Sequence, residues 1–140
     1  HEKLIPKVIL SCIENKRIPV YGSVANIRDW LYVDDHIEAI LSLYAKGLFQ
    51  NERFNIGGGY EVSNLDIVTL ILNILDKEHG FHGASELISF VDDRKGHDFR
   101  YSIDNAKIKK ATGWKPKSSF EEQINETVQW YINHSDWWEK

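Results

Sequence analysis

The 140-residue sequence lacks several features that mark particular classes of protein. Its single cysteine, Cys12, permits no internal disulfide and is typical of the reducing cytoplasm, where we expect this protein to be. No apolar run approaches the length of a membrane span, so no membrane partner is expected. The 17 basic residues stand against 21 acidic ones, a net charge of -4 that argues against nucleic-acid binding. Methionine is absent and the sequence begins at His1, so we expect upstream sequence to be missing.

The remaining composition is that of a globular protein, with 42% hydrophobic and 27% charged residues. Helical periodicity, capping pairs and β-branched runs predict helices and strands in alternation along the chain. The predicted helices cover residues 3–15, 35–46, 63–75, 104–112 and 119–132, and the predicted strands cover 19–22, 27–33, 53–56 and 87–91. Three of these helices are expected to begin at capping pairs: Asp35 with Glu38, Ser63 with Asp66, and Ser119 with Glu122. This alternation predicts an α/β fold.

The first segment whose residue types suggest a binding site is Arg28-Asp29, which interrupts an aromatic, strand-forming run. A salt bridge at the start of a strand is one interpretation of this pair. The alternative is a phosphate site, because a guanidinium matches two phosphate oxygens, with Asp29 holding Arg28 from behind.

The second segment, residues 92–98, carries six ionisable side chains around Gly96. It is either a solvated charged loop or an anion site in which Gly96 lets the backbone turn and brings Arg94 and His97 together.

The third segment is the glycine run 57–59 before Ser63 and Asn64. Glycine-rich turns before helices can bind phosphate, but the spacing here favours a tight turn. His79 and His82 have a spacing that a metal could use, yet no further ligands complete a site, so no metal is expected.

Together these segments resemble the dTDP-glucose 4,6-dehydratases, which are extended short-chain dehydrogenases. The matching runs, in order, are Glu2-Lys3-Leu4-Ile5-Pro6, Val20-Tyr21-Gly22, Ile27-Arg28-Asp29-Trp30-Leu31-Tyr32-Val33, Asn55-Ile56-Gly57-Gly58, Asp93-Arg94-x-Gly96-His97-Asp98, Arg100-Tyr101-x-Ile103-Asp104, Gly113-Trp114-Lys115-Pro116 and Thr127-Val128-x-Trp130-Tyr131. The resemblance covers nearly the whole chain.

The resemblance implies that residues 1–140 are the C-terminal, nucleotide-sugar-binding portion of such an enzyme, without its N-terminal NAD-binding domain. One strand and helix would complete the missing dinucleotide-binding (Rossmann) domain. Family members use NAD to oxidise C4 of the sugar, eliminate water across C5 and C6, and return the hydride to C6. The residues implied to bind the dTDP-sugar are Lys3, Leu4, Ile5, Pro6, Pro19, Val20, Tyr21, Arg28, Asn64, Asp93, Arg94, Lys95, Gly96 and His97.

Within that set the resemblance implies separate roles. Pro19, Val20 and Tyr21 would flank the thymine, and Arg28 and Arg94 would hold the phosphates. Two departures from the family pattern occur, at Lys95, where proline is usual, and in the segment 22–26.

The family's catalytic Tyr-x-x-x-Lys pair is absent, since none of the six tyrosines is followed four positions later by lysine. We therefore expect no catalytic residues, no bound NAD and no turnover from this chain alone, and a homodimer for the full-length protein. The alternatives are a noncatalytic nucleotide-sugar-binding module and a fragment of a UDP-sugar epimerase or decarboxylase.

Overall fold

The computed structural model describes residues 3–21, 26–48, 52–93, 95–117 and 119–138. In chain order the elements are α1 (Leu4–Ile13), β1 (Ile18–Tyr21), β2 (Ile27–Trp30), α2 (Val33–Ala45), β3 (Tyr60–Ser63), α3 (Asn64–His79), a 3-10 turn (Ala84–Leu87), β4 (Ile88–Val91), α4 (Ala106–Thr112), α5 (Phe120–Asn133) and α6 (Ser135–Trp138). The α/β prediction is confirmed. No helix in this described part of the chain is long and apolar enough to cross a bilayer.

The chain divides into two compact units. Unit 1 comprises His1–Asn26, Ser63–Phe99 and Phe120–Lys140, and unit 2 comprises Ile27–Val62 and Arg100–Ser119. Each unit is therefore built from segments that are far apart in the sequence.

Three helices and a short parallel sheet make the interior of unit 1. Helices α1, α3 and α5 pack on one another, and β1 pairs in parallel with β4. The fully buried side chains of this interior are aliphatic: Val8, Ile9, Ile18, Val20, Ile67, Val68, Ile71, Leu75 and Val128. Unit 1 thus owes its stability to a continuous apolar core.

Unit 2 has a smaller interior. Strands β2 and β3 form a two-stranded sheet, and Ile27 makes a parallel bridge to Arg100. Its buried cluster consists of Ala39, Leu43, Ile108 and Trp114. Helix α2 contributes two of these four residues and packs against α4.

The predicted start of α2 is wrong. The helix begins at Val33, with Tyr32 as an N-cap that makes no side-chain capping bond. Asp35 instead lies in the first turn, is 4% exposed, and accepts a hydrogen bond of 3.1 Å from the backbone N–H of Lys117. The Asp35 carboxylate, which local spacing assigned to a helix cap, therefore binds Lys117, a residue distant in the sequence. The strand before this helix ends at Trp30 rather than at the predicted Val33.

The strand predicted at residues 53–56 is also not formed. Residues 52–59 have no regular secondary structure. A strand needs a neighbour to complete its hydrogen-bond ladder, and none of the described strands pairs with this segment.

The start of α3 follows the prediction, since the Ser63 hydroxyl accepts a hydrogen bond from the Asp66 N–H. Val68, Leu72 and Leu75 of this helix are buried, whereas Thr69 is exposed. The short helix α4 ends, as predicted, at Gly113 with φ +79°.

Candidate functional site

In unit 1, two strand ends and two helix N-termini carry the predicted ligand-binding residues. Because β1 and β4 are parallel, their carboxyl ends lie at the same edge, where Tyr21 pairs with Val91. The charged segment 92–98 begins directly after Val91. The structure therefore brings Tyr21 to the beginning of that segment, although the two are about 70 positions apart in the chain.

His97 and Asp93 form a close pair within the charged segment. The distance from His97 Nδ1 to Asp93 Oδ1 is 2.6 Å, and the two side chains are 18% and 33% exposed. The Asp93 carboxylate therefore restrains the orientation of the His97 ring.

Asn26, which the sequence-based set did not include, connects this segment to α3. Its side-chain Nδ2 donates to the backbone carbonyl oxygen of Asp98 over 3.1 Å. Its backbone carbonyl oxygen accepts a hydrogen bond from the Asn64 N–H over 3.0 Å. The residue is 2% exposed, and its Oδ1 has no hydrogen-bond partner. Its Nδ2 also lies 3.5 Å from His97 Nδ1, so one buried side chain contacts both His97 and Asp98.

Sequence pattern indicates the importance of Asn26 only weakly. Asn26 opens the motif that contains Arg28, but most asparagines lie at the surface. Its burial depends on residues more than 30 positions away, which local pattern does not reveal.

The first turn of α1 and the strand β1 place the remaining predicted residues of unit 1. Lys3 is the exposed N-cap of α1, and residues 4–6 are half-buried. A proline is tolerated there because the first N–H groups of a helix have no partner within it. Pro19 is half-buried, whereas Val20 is 1% exposed and packs in the core. Any contact of Val20 with a ligand must therefore use its backbone.

Two residues of the charged segment, Lys95 and Gly96, are exposed. Gly96 has φ +76°, so the backbone turns there as predicted. Arg94 lies outside the described residues.

In unit 2, Arg28 is the one residue of the predicted ligand-binding set. Its Nη1 donates to the carbonyl oxygen of Ile27 over 2.7 Å, and its guanidinium carbon lies 4.7 Å from the centre of the Tyr101 ring. Both contacts restrain the direction of a planar cation that is well suited to phosphate.

The Asp29 carboxylate binds the backbone of the glycine turn at residues 57–60 rather than the guanidinium of Arg28. Its Oδ1 accepts from the backbone N–H groups of Gly59 and Tyr60, over 2.8 and 3.2 Å. A Cβ on Gly58 would lie 1.7 Å from the Trp30 carbonyl oxygen, and one on Gly57 would lie 2.4 Å from Asp29 Oδ2. The glycines thus allow close backbone packing, and the N–H groups of Gly59 and Tyr60 are bound to Asp29 rather than open to a phosphate. The interpretation as a tight turn is the one that this geometry supports.

A separate depression of about 380 Å³ lies in unit 2. It is lined by His36, Phe54, Asn55, Ile56, Ser102, Ile103 and Asp104. None of these belongs to the predicted ligand-binding set.

The described residues contain no group of three or more His, Cys, Asp or Glu side chains placed to hold a metal ion. His79 and His82 take different partners, since His79 Nε2 lies 3.0 Å from Gln129 Nε2 and His82 Nδ1 lies 2.7 Å from Asp76 Oδ1. Burial raises the pKa of the Cys12 thiol, which keeps it protonated and unreactive.

Comparison with known proteins gives a consistent picture. The family model described as GDP-mannose 4,6 dehydratase matches residues 1–127. A dTDP-glucose 4,6-dehydratase of Escherichia coli is 46% identical over 99% of this chain, which spans 40% of that relative's length.

Two solved structures resemble the fold. The crystal structure of a dTDP-glucose 4,6-dehydratase from Streptomyces venezuelae, with NAD and TYD bound, is 37% identical with a TM-score of 0.87. The match covers 99% of this chain and 41% of that one. A UDP-glucose 4-epimerase from Thermotoga maritima, with UDP-glucose, is 25% identical with a TM-score of 0.78, over 94% of this chain and 40% of that one. The chain therefore spans about two fifths of each of these proteins.

Proposed function

Because the chain belongs to the GDP-mannose 4,6 dehydratase family, we propose that it is the nucleotide-sugar-binding portion of a dTDP-glucose 4,6-dehydratase. The observation that carries the proposal is the arrangement around Asn26 in unit 1. That residue joins Asn64 to the segment holding His97 and Asp93, so residues implied by the resemblance meet through a buried connection. Relatives that share this chain's sequence at 43–46% identity are named as that enzyme.

The proposed roles follow the chemistry of each group. Arg28 and Arg94 bind the diphosphate, because guanidinium groups donate two parallel hydrogen bonds to phosphate oxygens. His97 and Asn64 bind near the ribose and phosphate, with Asp93 restraining the imidazole. Tyr21 supplies an aromatic face beside the thymine, with Pro19 and the Val20 backbone. The first turn of α1, residues 3–6, lies along the nucleotide and sugar.

The residues of this chain do not fit a dinucleotide site. Its one glycine run is occupied by Asp29 and packed against Trp30, and the sequence has no Tyr-x-x-x-Lys pair. We propose that NAD and the catalytic groups belong to the remainder of the full-length protein, so that the chain by itself binds but does not turn over the substrate. The dehydration, the cytoplasmic location and the homodimer are proposed for that full-length protein.

We further propose that the missing domain packs against unit 2. The residues at 53–56, predicted as an edge strand, remain without a sheet partner among the described strands. The outer face of α2 exposes a row of apolar side chains: Val33, Ile37, Ile40, Leu41 and Tyr44. Their spacing of three and four places them on one side of the helix, as for a helix buried on two sides.

Titration of dTDP into the full-length protein tests the proposal. Each arginine that binds the diphosphate contributes typically about 1.5–3 kcal/mol, so Arg28→Ala and Arg94→Ala should each weaken binding roughly tenfold to a hundredfold. Arg28→Lys should recover only part of the loss, since an ammonium keeps the charge without the two-pronged geometry.

Thermal melts of the same variants provide the control. A purely structural arginine would lower the melting temperature and leave the affinity of the folded protein unchanged, which would contradict the phosphate role. The fold is shared with a UDP-glucose 4-epimerase, so titration with UDP belongs in the same series. Tighter binding of UDP than of dTDP would favour an epimerase instead.

A further inference from the structure

The contact between Arg28 and Tyr101 gives a role to a motif that the proposed function does not use. Tyr101 belongs to the run Arg100-Tyr101-x-Ile103-Asp104, and no residue of that run is among the proposed ligand contacts. The guanidinium carbon of Arg28 lies 4.7 Å from the centre of the Tyr101 ring. A cation within about 6 Å of an aromatic centroid is attracted by the negative face of the ring.

The backbone of unit 2 holds the two side chains at this distance. Ile27 and Arg100 form a parallel bridge, and the Tyr101 N–H donates to the Ile27 carbonyl over 3.4 Å. The same carbonyl accepts from Arg28 Nη1 over 2.7 Å. One carbonyl oxygen of β2 therefore fixes both partners of the stack.

A second anchor lies at the neighbouring residue, Arg100. Its Nε and Nη2 donate to the two carboxylate oxygens of Glu61, over 2.7 and 2.9 Å. Such two-point pairs have a defined geometry, so the backbone just before Tyr101 is attached to β3 as well as to β2. The position of the ring is thus set by the sheet of unit 2.

We propose that Tyr101 is a positioning residue for Arg28, an inference that rests on the proposed function and deepens it. Arginine has many rotamers, and ordering them when a ligand binds weakens affinity. The Tyr101 ring and the Ile27 carbonyl restrain the guanidinium in advance, so the diphosphate meets a cation that is already oriented. The device is specific to arginine, because lysine has no planar face to lie on the ring.

Four variants of the full-length protein test this by calorimetric titration of dTDP: Tyr101→Leu, Tyr101→Phe, Arg28→Ala and the double variant Arg28→Ala/Tyr101→Leu. Tyr101→Leu removes the ring and should weaken binding roughly three- to tenfold. Tyr101→Phe keeps the ring and should stay within about twofold of the parent. In the Arg28→Ala background, the change to Leu should cause no further loss, because its effect acts through Arg28.

Stability and a matched aromatic residue supply the controls. Tyr101 is 50% exposed, so its replacement should leave the melting temperature nearly unchanged. Trp137→Leu removes an aromatic side chain of similar exposure, 58%, on α6 and outside the proposed ligand-binding set, and should not alter dTDP affinity. An equal loss in Trp137→Leu would overturn the positioning role.

The remaining outcomes separate this inference from the proposed function. If Arg28→Ala weakens binding and Tyr101→Leu does not, the positioning role is wrong and the phosphate role stands. If Tyr101→Leu weakens binding by the same factor with and without Arg28, Tyr101 acts on the ligand directly and the inference is again overturned. If Arg28→Ala binds dTDP as tightly as the parent, the phosphate role fails, and the positioning role with it.

Discussion

Unit 1 and unit 2 differ in how completely each buries its apolar side chains. In unit 1 three helices and a parallel strand pair enclose a row of fully buried aliphatic residues. In unit 2 the buried cluster has four members, and one helix, α2, exposes a second apolar face on its other side. Since burial of apolar area is the main source of folding free energy, unit 1 has the larger share of what stabilises the chain.

This difference bears on the two arrangements that carry the proposed ligand-binding residues. The connection through Asn26 lies in unit 1, between helix α3 and the segment that follows β4. Arg28 lies in unit 2 and is held by a ring and a carbonyl at the end of a short sheet. We expect the unit 1 arrangement to persist in the chain alone and that of unit 2 to become firmer once the apolar face of α2 is covered.

The largest expected effect on stability distinguishes the core of unit 1 from the exposed face of α2 in unit 2. Leu75 is fully buried in unit 1, so Leu75→Ala leaves a cavity and should lower the free energy of unfolding by about 2–5 kcal/mol. Leu41 on α2 is 57% exposed, and Leu41→Ala should change it by less than about 0.5 kcal/mol. Urea unfolding of both variants measures this. Similar losses from the two substitutions would mean that α2 is covered in the chain alone.

Features of local origin were predictable from the sequence, and those of tertiary origin were not. Ser63 caps α3 and Gly113 ends α4 as predicted, because both depend on residues within four positions. Asp35 was assigned to a cap, but its partner is Lys117, 82 positions away. The ligand-binding set came from a resemblance that extends over nearly the whole chain. Asn26 and Tyr101 escaped it, because their roles appear only in contacts between distant segments.

Substitutions at two glycines should have a smaller effect on stability. Lack of space limits substitution at one of them, and a positive φ limits it at the other. Gly58 in unit 2 has no room for a side chain, since a Cβ would lie 1.7 Å from the Trp30 carbonyl oxygen. Gly58→Ala must displace that backbone and should cost about 1–3 kcal/mol. Gly80 in unit 1 has φ +72° and open space around it, so Gly80→Asn, which tolerates that conformation, should cost less than about 1 kcal/mol. Thermal unfolding measures both, and a harmless Gly58→Ala would show that the turn is not packed as described.

Placing a charge on the exposed apolar face of α2 should have the smallest effect on stability. It nevertheless tests the comparison between unit 1 and unit 2 most directly. If this face is where another domain packs, the chain alone should self-associate through it, as large apolar patches do. Leu41→Glu should then shift the chain towards monomer in light scattering at a matched concentration, while its melting temperature stays nearly the same. Phe90→Glu, at a residue 65% exposed on β4 of unit 1, is the matched control and should leave association unchanged. A parent chain that stays monomeric at high concentration would contradict an uncovered interface on unit 2. If Phe90→Glu disperses the chain and Leu41→Glu does not, the association belongs to unit 1, and the comparison between the two units reverses.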